Sequence, residues 1–206
     1  MLGCVDGSLI RIKAPAEDEN VYVCRKQYHV MSIQGICDHR KVFTNIVSRW
    51  PGSAHDAFIW SNCALNTQFE NGEVDGHLVG DSAYPLRPWL LTPIQNAGGQ
   101  AEERYNRSHR VTRQCMGGAF GIWKMRWLVI YDFGVAMTLR LAVCLRVIVA
   151  TTVLHNICQL NGVPLPPDAP PNHGDNPDND NNHPPRNLQH DGQRARDAII
   201  RGHFAR

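Results

Sequence analysis

The sequence contains no Cys-x-x-Cys pair, and its seven cysteines (Cys4, Cys24, Cys37, Cys63, Cys115, Cys144, Cys158) are odd in number and widely scattered. That pattern argues against both a disulfide framework and a zinc knuckle, and a reducing compartment, cytosol or nucleus, is the expected setting. Excess charge of one sign is missing too. With 21 Lys and Arg against 19 Asp and Glu, the formal net charge is +2, so a histone-like cationic coat is excluded and any nucleic-acid contact has to come from local patches. No basic leader opens the chain, and its first apolar run, Met1 to Ile12, is interrupted by Asp6 and Gly7; a secretory signal is not expected. The longest apolar stretch, Val135 to Leu154, carries Arg140 and Arg146. Each would cost roughly 2.5 to 3.5 kcal/mol at a bilayer centre, so the stretch reads as part of a long buried helix from Tyr131 to Leu160, and no membrane partner is expected.

What is present suffices for one substantial core, since 206 residues with 43% hydrophobic content can bury a single domain. Val5, Leu9, Ile10 and Ile12 predict a strand that carries Asp6, with Asp6-Gly7 able to turn the chain. Tyr28 to Cys37 and Val42 to Arg49 are β-prone runs flanking Asp38-His39-Arg40-Lys41, which reads as a hairpin. Ser53, after Pro51-Gly52, is the expected N-cap of a short helix through Ala57, Phe58 and Trp60. Leu78-Val79-Gly80 predicts a short strand ending at Asp81, and Ala101 to Trp127 is helix-compatible. Eight of the thirteen prolines lie beyond Asn161, among clustered Asn and Asp. Such a segment cannot bury enough apolar surface to offset ordering entropy, so Pro164 to Asn187 is expected to be disordered. Gln193 to Phe204 is expected to form a short terminal helix docked on the core. The division anticipated is a domain over 1–160 and a Pro/Asn/Asp-rich tail over 161–206.

Asp6 and Asp81, each expected at a strand end, are the side chains a divalent-metal phosphodiesterase site would use, because Mg²⁺-type cations prefer carboxylate oxygen and water. Strand-end aspartates are also common caps and turn formers, so spacing by itself leaves both readings open. The surrounding words narrow the choice. Val5-Asp6-Gly7-Ser8, Trp50-Pro51-Gly52-Ser53-Ala54-His55-Asp56, Gly80-Asp81-Ser82-Ala83-Tyr84-Pro85-Leu86, Leu91-Thr92-Pro93, Tyr105-Asn106-Arg107-Ser108-His109, Ala119-Phe120-Gly121-Ile122-Trp123-Lys124 and Leu154-His155-Asn156-Ile157-Cys158 follow one another in this order. From Val5 to about Leu160 the chain thereby resembles the Harbinger transposase-derived nucleases of the DDE superfamily.

That resemblance implies an α/β, RNase H-like fold, a mixed sheet flanked by helices, and hydrolysis of DNA phosphodiesters with Mg²⁺ or Mn²⁺. It assigns Asp6 and Asp81 as catalytic metal ligands. It also places a third acid, a glutamate, two residues before the Ala-Phe-Gly word, where this sequence has Gly117. Glu102 lies in an earlier segment and is no obvious substitute, and Asp56 reads as a brace of the Pro-Gly-Ser turn. Family members carry an N-terminal helical region, and the transposases work with a Myb-like DNA-binding partner; the nucleus, with or without the cytoplasm, is the implied location. Three functions remain at this point: a nuclease weakened or silenced by the missing carboxylate, a catalytically dead DNA- or protein-binding module, and a transposon remnant without function.

Arg104, Arg107, Arg110 and Arg113 recur every third residue and form a stripe if helical, with Lys124 and Arg126 as extensions. The stripe reads either as a phosphate-contacting face or as a solvated surface paired with the acidic tail. His155 and Cys158 have no second pair at zinc-ligand spacing and are expected to pack in the core, as are the five tryptophans, in the core or on the surface.

Overall fold

The alternation of side chains along β1 (Gly3–Arg11) builds a core on each side of the sheet. Cys4 and Ile10 join Met31, Ile33 and Phe43 on one face, while Val5 joins Ile36, Leu78 and Leu90 on the other, as the two-residue period of a strand requires. The computed structural model describes residues 1–131, 136–169 and 189–205. β1 pairs antiparallel with β2 (Val30–Cys37), and β2 with β3 (Phe43–Pro51). Asp38 closes the β2–β3 hairpin by accepting from the Arg40 and Val42 amides, and Lys41 turns the chain at φ 63°. On the other side of β1, β4 (Leu78–Val79) and β5 (Leu90–Leu91) run parallel to it, giving the order β3-β2-β1-β4-β5. This is the expected mixed α/β, RNase H-like sheet flanked by helices.

α1 (Asp56–Ser61) and α2 (Ala64–Glu70) cover one face through Trp60 and Phe69. α3 (Gln100–Arg126) and α4 (Leu141–Leu160) cover the other, where Met116, Phe120 and Trp123 meet Cys144 and Ile148. The terminal helix α5 (Gln189–Ile199) continues into a π-helical turn (Ile200–Phe204). It docks as expected: Arg196 Nη1 donates to the Thr92 and Pro93 carbonyls at 3.3 Å, and Phe204 meets the Tyr105 ring edge-on.

Several expectations need correction. Asp6-Gly7 does not turn the chain, because β1 is held by continuous pairing to β2 through both residues; Asp6 is therefore within a strand and not at its end. The first helix starts at Asp56 with His55 as its cap, so Ser53 is not the N-cap. The long helix begins at Leu141 and not Tyr131, since Met137 is extended and bridges to Ile12, with its amide on the Arg11 carbonyl. Nor is that helix buried all round. One face packs through Cys144, Ile148, Thr151, Thr152 and His155, while Val149, Val153, Leu154, Ile157 and Leu160 are exposed. By length and composition it is long and apolar enough to cross a membrane. The disorder expected for Pro164 to Asn187 falls, from residue 170 onward, outside the described residues.

Candidate acidic metal centre

Strand register delivers Asp81 to Asp6. Gly3 lies opposite Leu78 and Cys4 opposite Val79, so two residues further along the parallel pair each chain arrives at an aspartate. β4 stops at Val79 while β1 continues to Arg11. The crevice past the carboxyl end of a strand is where open α/β sheets place their sites.

Both carboxylates are oriented the same way. The Gly7 amide donates to Asp6 Oδ1 and the Ala83 amide to Asp81 Oδ1, each at 2.9 Å. Their remaining oxygens face one atom, Arg113 Nη2, which lies 2.7 Å from Asp6 Oδ2 and 3.7 Å from Asp81 Oδ2. The Asp6 side chain is only 11% exposed, so solvent screens it little. Burial pushes its carboxyl up to about 6, the Arg113 guanidinium opposes that shift, and the charge of Asp81 adds to it.

Arg113 had no place in the acidic set as read from sequence, and the structure divides the arginine stripe that contained it. Arg113 belongs to the two acids. Arg104 donates to the Phe204 carbonyl, holding the C-terminal turn. Lys124 is buried with Nζ 3.2 Å from the Leu9 carbonyl, and Arg126 donates to the Val163 and Pro164 carbonyls, so neither extends a phosphate-facing stripe. Arg107 and Arg110 are exposed and make no hydrogen bond or ion pair among the described residues.

Gly117 lies one helical turn beyond Arg113, on the same face of α3. It is exposed, and nothing lies within 4 Å of where a Cβ would stand; a side chain there would enter open space beside Arg113. Glu102 does not fill the gap, because its carboxylate accepts from the Gly98 amide at 2.7 Å, at the start of α3. Among the described residues no group of three or more His, Cys, Asp or Glu is placed to hold a metal ion.

Asp56, read from the sequence as a structural residue capping or bracing the Pro-Gly-Ser turn, follows shortly after that turn. It opens α1 on the opposite face of β1, with Oδ1 only 2.5 Å from where a Cβ on Gly7 would stand, so Gly7 is required by that approach. Tyr84 is the other residue missed in the sequence. Its hydroxyl is buried with no hydrogen-bond partner among the described residues, and burial, then the charges of Asp56, Asp6 and Asp81, holds its proton well above the usual tyrosine range. His155 is a core residue as expected, its Nε2 2.9 Å from the Lys41 carbonyl.

Two carboxylates, each with one oxygen directed at a common point already taken by a cation, suit a single hard divalent ion, since Mg²⁺ is commonly held by one or two carboxylates and keeps its waters. Two ions in register would need another protein ligand.

The chain matches the family described as DDE superfamily endonuclease over residues 5–156, and that family generally uses divalent metals. It is 31% identical over its whole length to the Mus musculus protein named "Putative nuclease HARBI1", covering 59% of it. Over 79% of the chain it is 33% identical to the Homo sapiens protein of the same name, covering 47% of that protein. An Arabidopsis thaliana relative, "Protein ALP1-like", is 27% identical over 75% of the chain and 42% of its own length. The chain thus spans about half the length of the curated relatives it matches. No solved structure matches it significantly. With a family match across most of the sheet and both long helices, and relatives that carry the Harbinger-derived nuclease name, the chain belongs to the DDE superfamily endonucleases.

Proposed function

We propose that this chain is the core of a transposase-derived nuclease that acts on DNA phosphodiesters, with Asp6 and Asp81 as its metal ligands. Its third acidic position is lost at Gly117, and as written it cleaves DNA weakly or not at all. The observation that carries this reading is the approach of both Oδ2 atoms to Arg113 Nη2, which marks a cation position between two oriented carboxylates. A bound Mg²⁺ or Mn²⁺ would supply Lewis-acid stabilisation of charge at phosphorus. The chain's own residues do the rest: the Gly7 and Ala83 amides fix the two carboxylates that would hold the ion, and Arg113, which now neutralises them, would be free to pair with a phosphate once the ion took over that charge. The implied partners are DNA and a Myb-like DNA-binding protein, in the nucleus.

Calorimetric titration of the purified chain with Mg²⁺ and with Mn²⁺ tests the metal assignment. One ion should bind, and Asp6→Asn or Asp81→Asn should abolish the binding; no heat from either metal would contradict the reading. A catalytically silent DNA-binding module is the second reading, favoured by Arg107 and Arg110, which are exposed on α3 and make no hydrogen bond or ion pair among the described residues.

A further inference from the structure

Three thiols from three elements meet under the acidic centre. Cys115 of α3 has Sγ 3.4 Å from Cys4 Sγ of β1 and 3.8 Å from Cys37 Sγ of β2. Cys4 and Cys37 face each other across the β1–β2 register and are fully buried, whereas Cys115 is only partly buried. All seven cysteines are free thiols. Nothing in the proposed nuclease chemistry uses this cluster.

We infer that Cys115, Cys4 and Cys37 form a peroxide-oxidisable site, in which Cys115 is the thiol attacked and Cys4 the thiol that resolves it into a disulfide. Cys115 is the member that solvent reaches, next to the open surface at Gly117. The Lys41 side chain lies over Gly118, with Cε and Nζ 2.9 Å and 3.1 Å from where a Cβ there would stand, and places an ammonium near Cys115. A neighbouring cation favours the thiolate, the reactive form. Contact with the Cys37 and Cys4 thiols, with a smaller contribution from Lys41, holds the Cys115 thiol below its ordinary range against burial and the charge of Asp38.

The chemistry balances with hydrogen peroxide as oxidant. The Cys115 thiolate attacks one peroxide oxygen, the O–O bond breaks, and hydroxide leaves to become water, giving a sulfenic acid. The Cys4 sulfur then attacks the Cys115 sulfur and water leaves with the Cys4 proton. Two thiols have lost two electrons, and peroxide has become two waters. A disulfide needs about 2.05 Å between the sulfurs, so the pair has to close through side-chain torsion and a small shift of the helix. The resulting bond ties α3 to β1 two residues from Arg113 and from Gly117 on the helix, and two residues from Asp6 on the strand.

The test uses the intact reduced chain and is independent of nuclease activity. Treatment with hydrogen peroxide should lower the count of titratable thiols from seven to five, and peptide mapping without reductant should yield a Cys4–Cys115 linked pair. Cys115→Ser should lose no thiol pair under the same treatment, with circular dichroism establishing that it is folded. Cys4→Ser should shift the link to Cys37–Cys115, since Cys37 is the remaining neighbour. Seven surviving thiols, a link that omits Cys115, or a link only between separate chains would overturn the inference.

Discussion

Asp6 is a carboxylate buried beside a second carboxylate, and Arg113 is the group that makes this arrangement stable. Breaking a buried pair by removing one partner costs about 3 to 5 kcal/mol, and less where solvent reaches it. Arg113, 22% exposed, should therefore cost about 1 to 3 kcal/mol when replaced by Ala, read as a shift in urea midpoint. The loss should shrink in an Asp6→Asn, Asp81→Asn background, where no anion is left unpaired; an equal loss in both backgrounds would separate Arg113 from the acids. The pH dependence follows from the Asp6 carboxyl at about 6 in the folded chain against an ordinary 3.8. Between those values the folded protein holds a proton that the unfolded chain has released. The site's contribution is thus greatest below about pH 4, falls as pH rises through about 6, and is flat beyond, by on the order of 2 to 3 kcal/mol. Asp6→Asn should remove that decline. Parallel denaturation curves for the two proteins from about pH 4 to pH 7 would show that the acid is not perturbed.

α3 carries most of the consequences at the level of elements. Gly117 sits in a helix interior with open space where a Cβ would be, so Gly117→Ala should raise stability by about 1 kcal/mol. Gly118→Ala should gain less, because its Cβ would meet the Lys41 side chain at 2.9 Å. Equal gains at the two positions, measured by thermal or urea unfolding, would contradict this packing. The same helix shows what a sequence can and cannot reveal. Its span was readable to within a residue, and β2, β3 and their hairpin to within two, because apolar periodicity and turn residues agree locally. β5 and α2 were not anticipated: two residues, Leu90–Leu91, carry no periodic signal, and α2 follows α1 too closely to stand out as a separate run. The start of α4 was missed because Met137 is held extended by a long-range bridge to Ile12, which no local pattern encodes.

Across the whole molecule, the two aspartates, their convergence and the glycine at position 117 were legible through the family resemblance of the motif words, but the strand register that joins the acids and the arginine between them were not. Asp6 reaches Asp81 through the parallel register of β1 and β4, and Arg113 turns toward them through the rotational phase of α3 on the sheet; both are tertiary facts. This redistribution of the arginines sharpens the expectation for DNA. Binding should be weak, independent of sequence and steeply salt-dependent, and replacing Arg107 and Arg110 by Ala should lower the salt slope by about 2, with Arg113→Ala changing it less. An unchanged slope in the Arg107, Arg110 variant would leave those residues as solvated surface. The proposed acidic centre is best tested by placing a carboxylate at Gly117. Catalytic groups that act as a unit are strongly non-additive, so the chain as written should barely nick supercoiled plasmid in Mg²⁺ or Mn²⁺. Gly117→Glu should bring metal-dependent nicking, and Asp6→Asn in that background should remove it again. Robust cleavage by the unmodified chain that still depends on Asp6 and Asp81, or no cleavage after restoration in a folded, metal-binding variant, would contradict a two-thirds-complete nuclease centre.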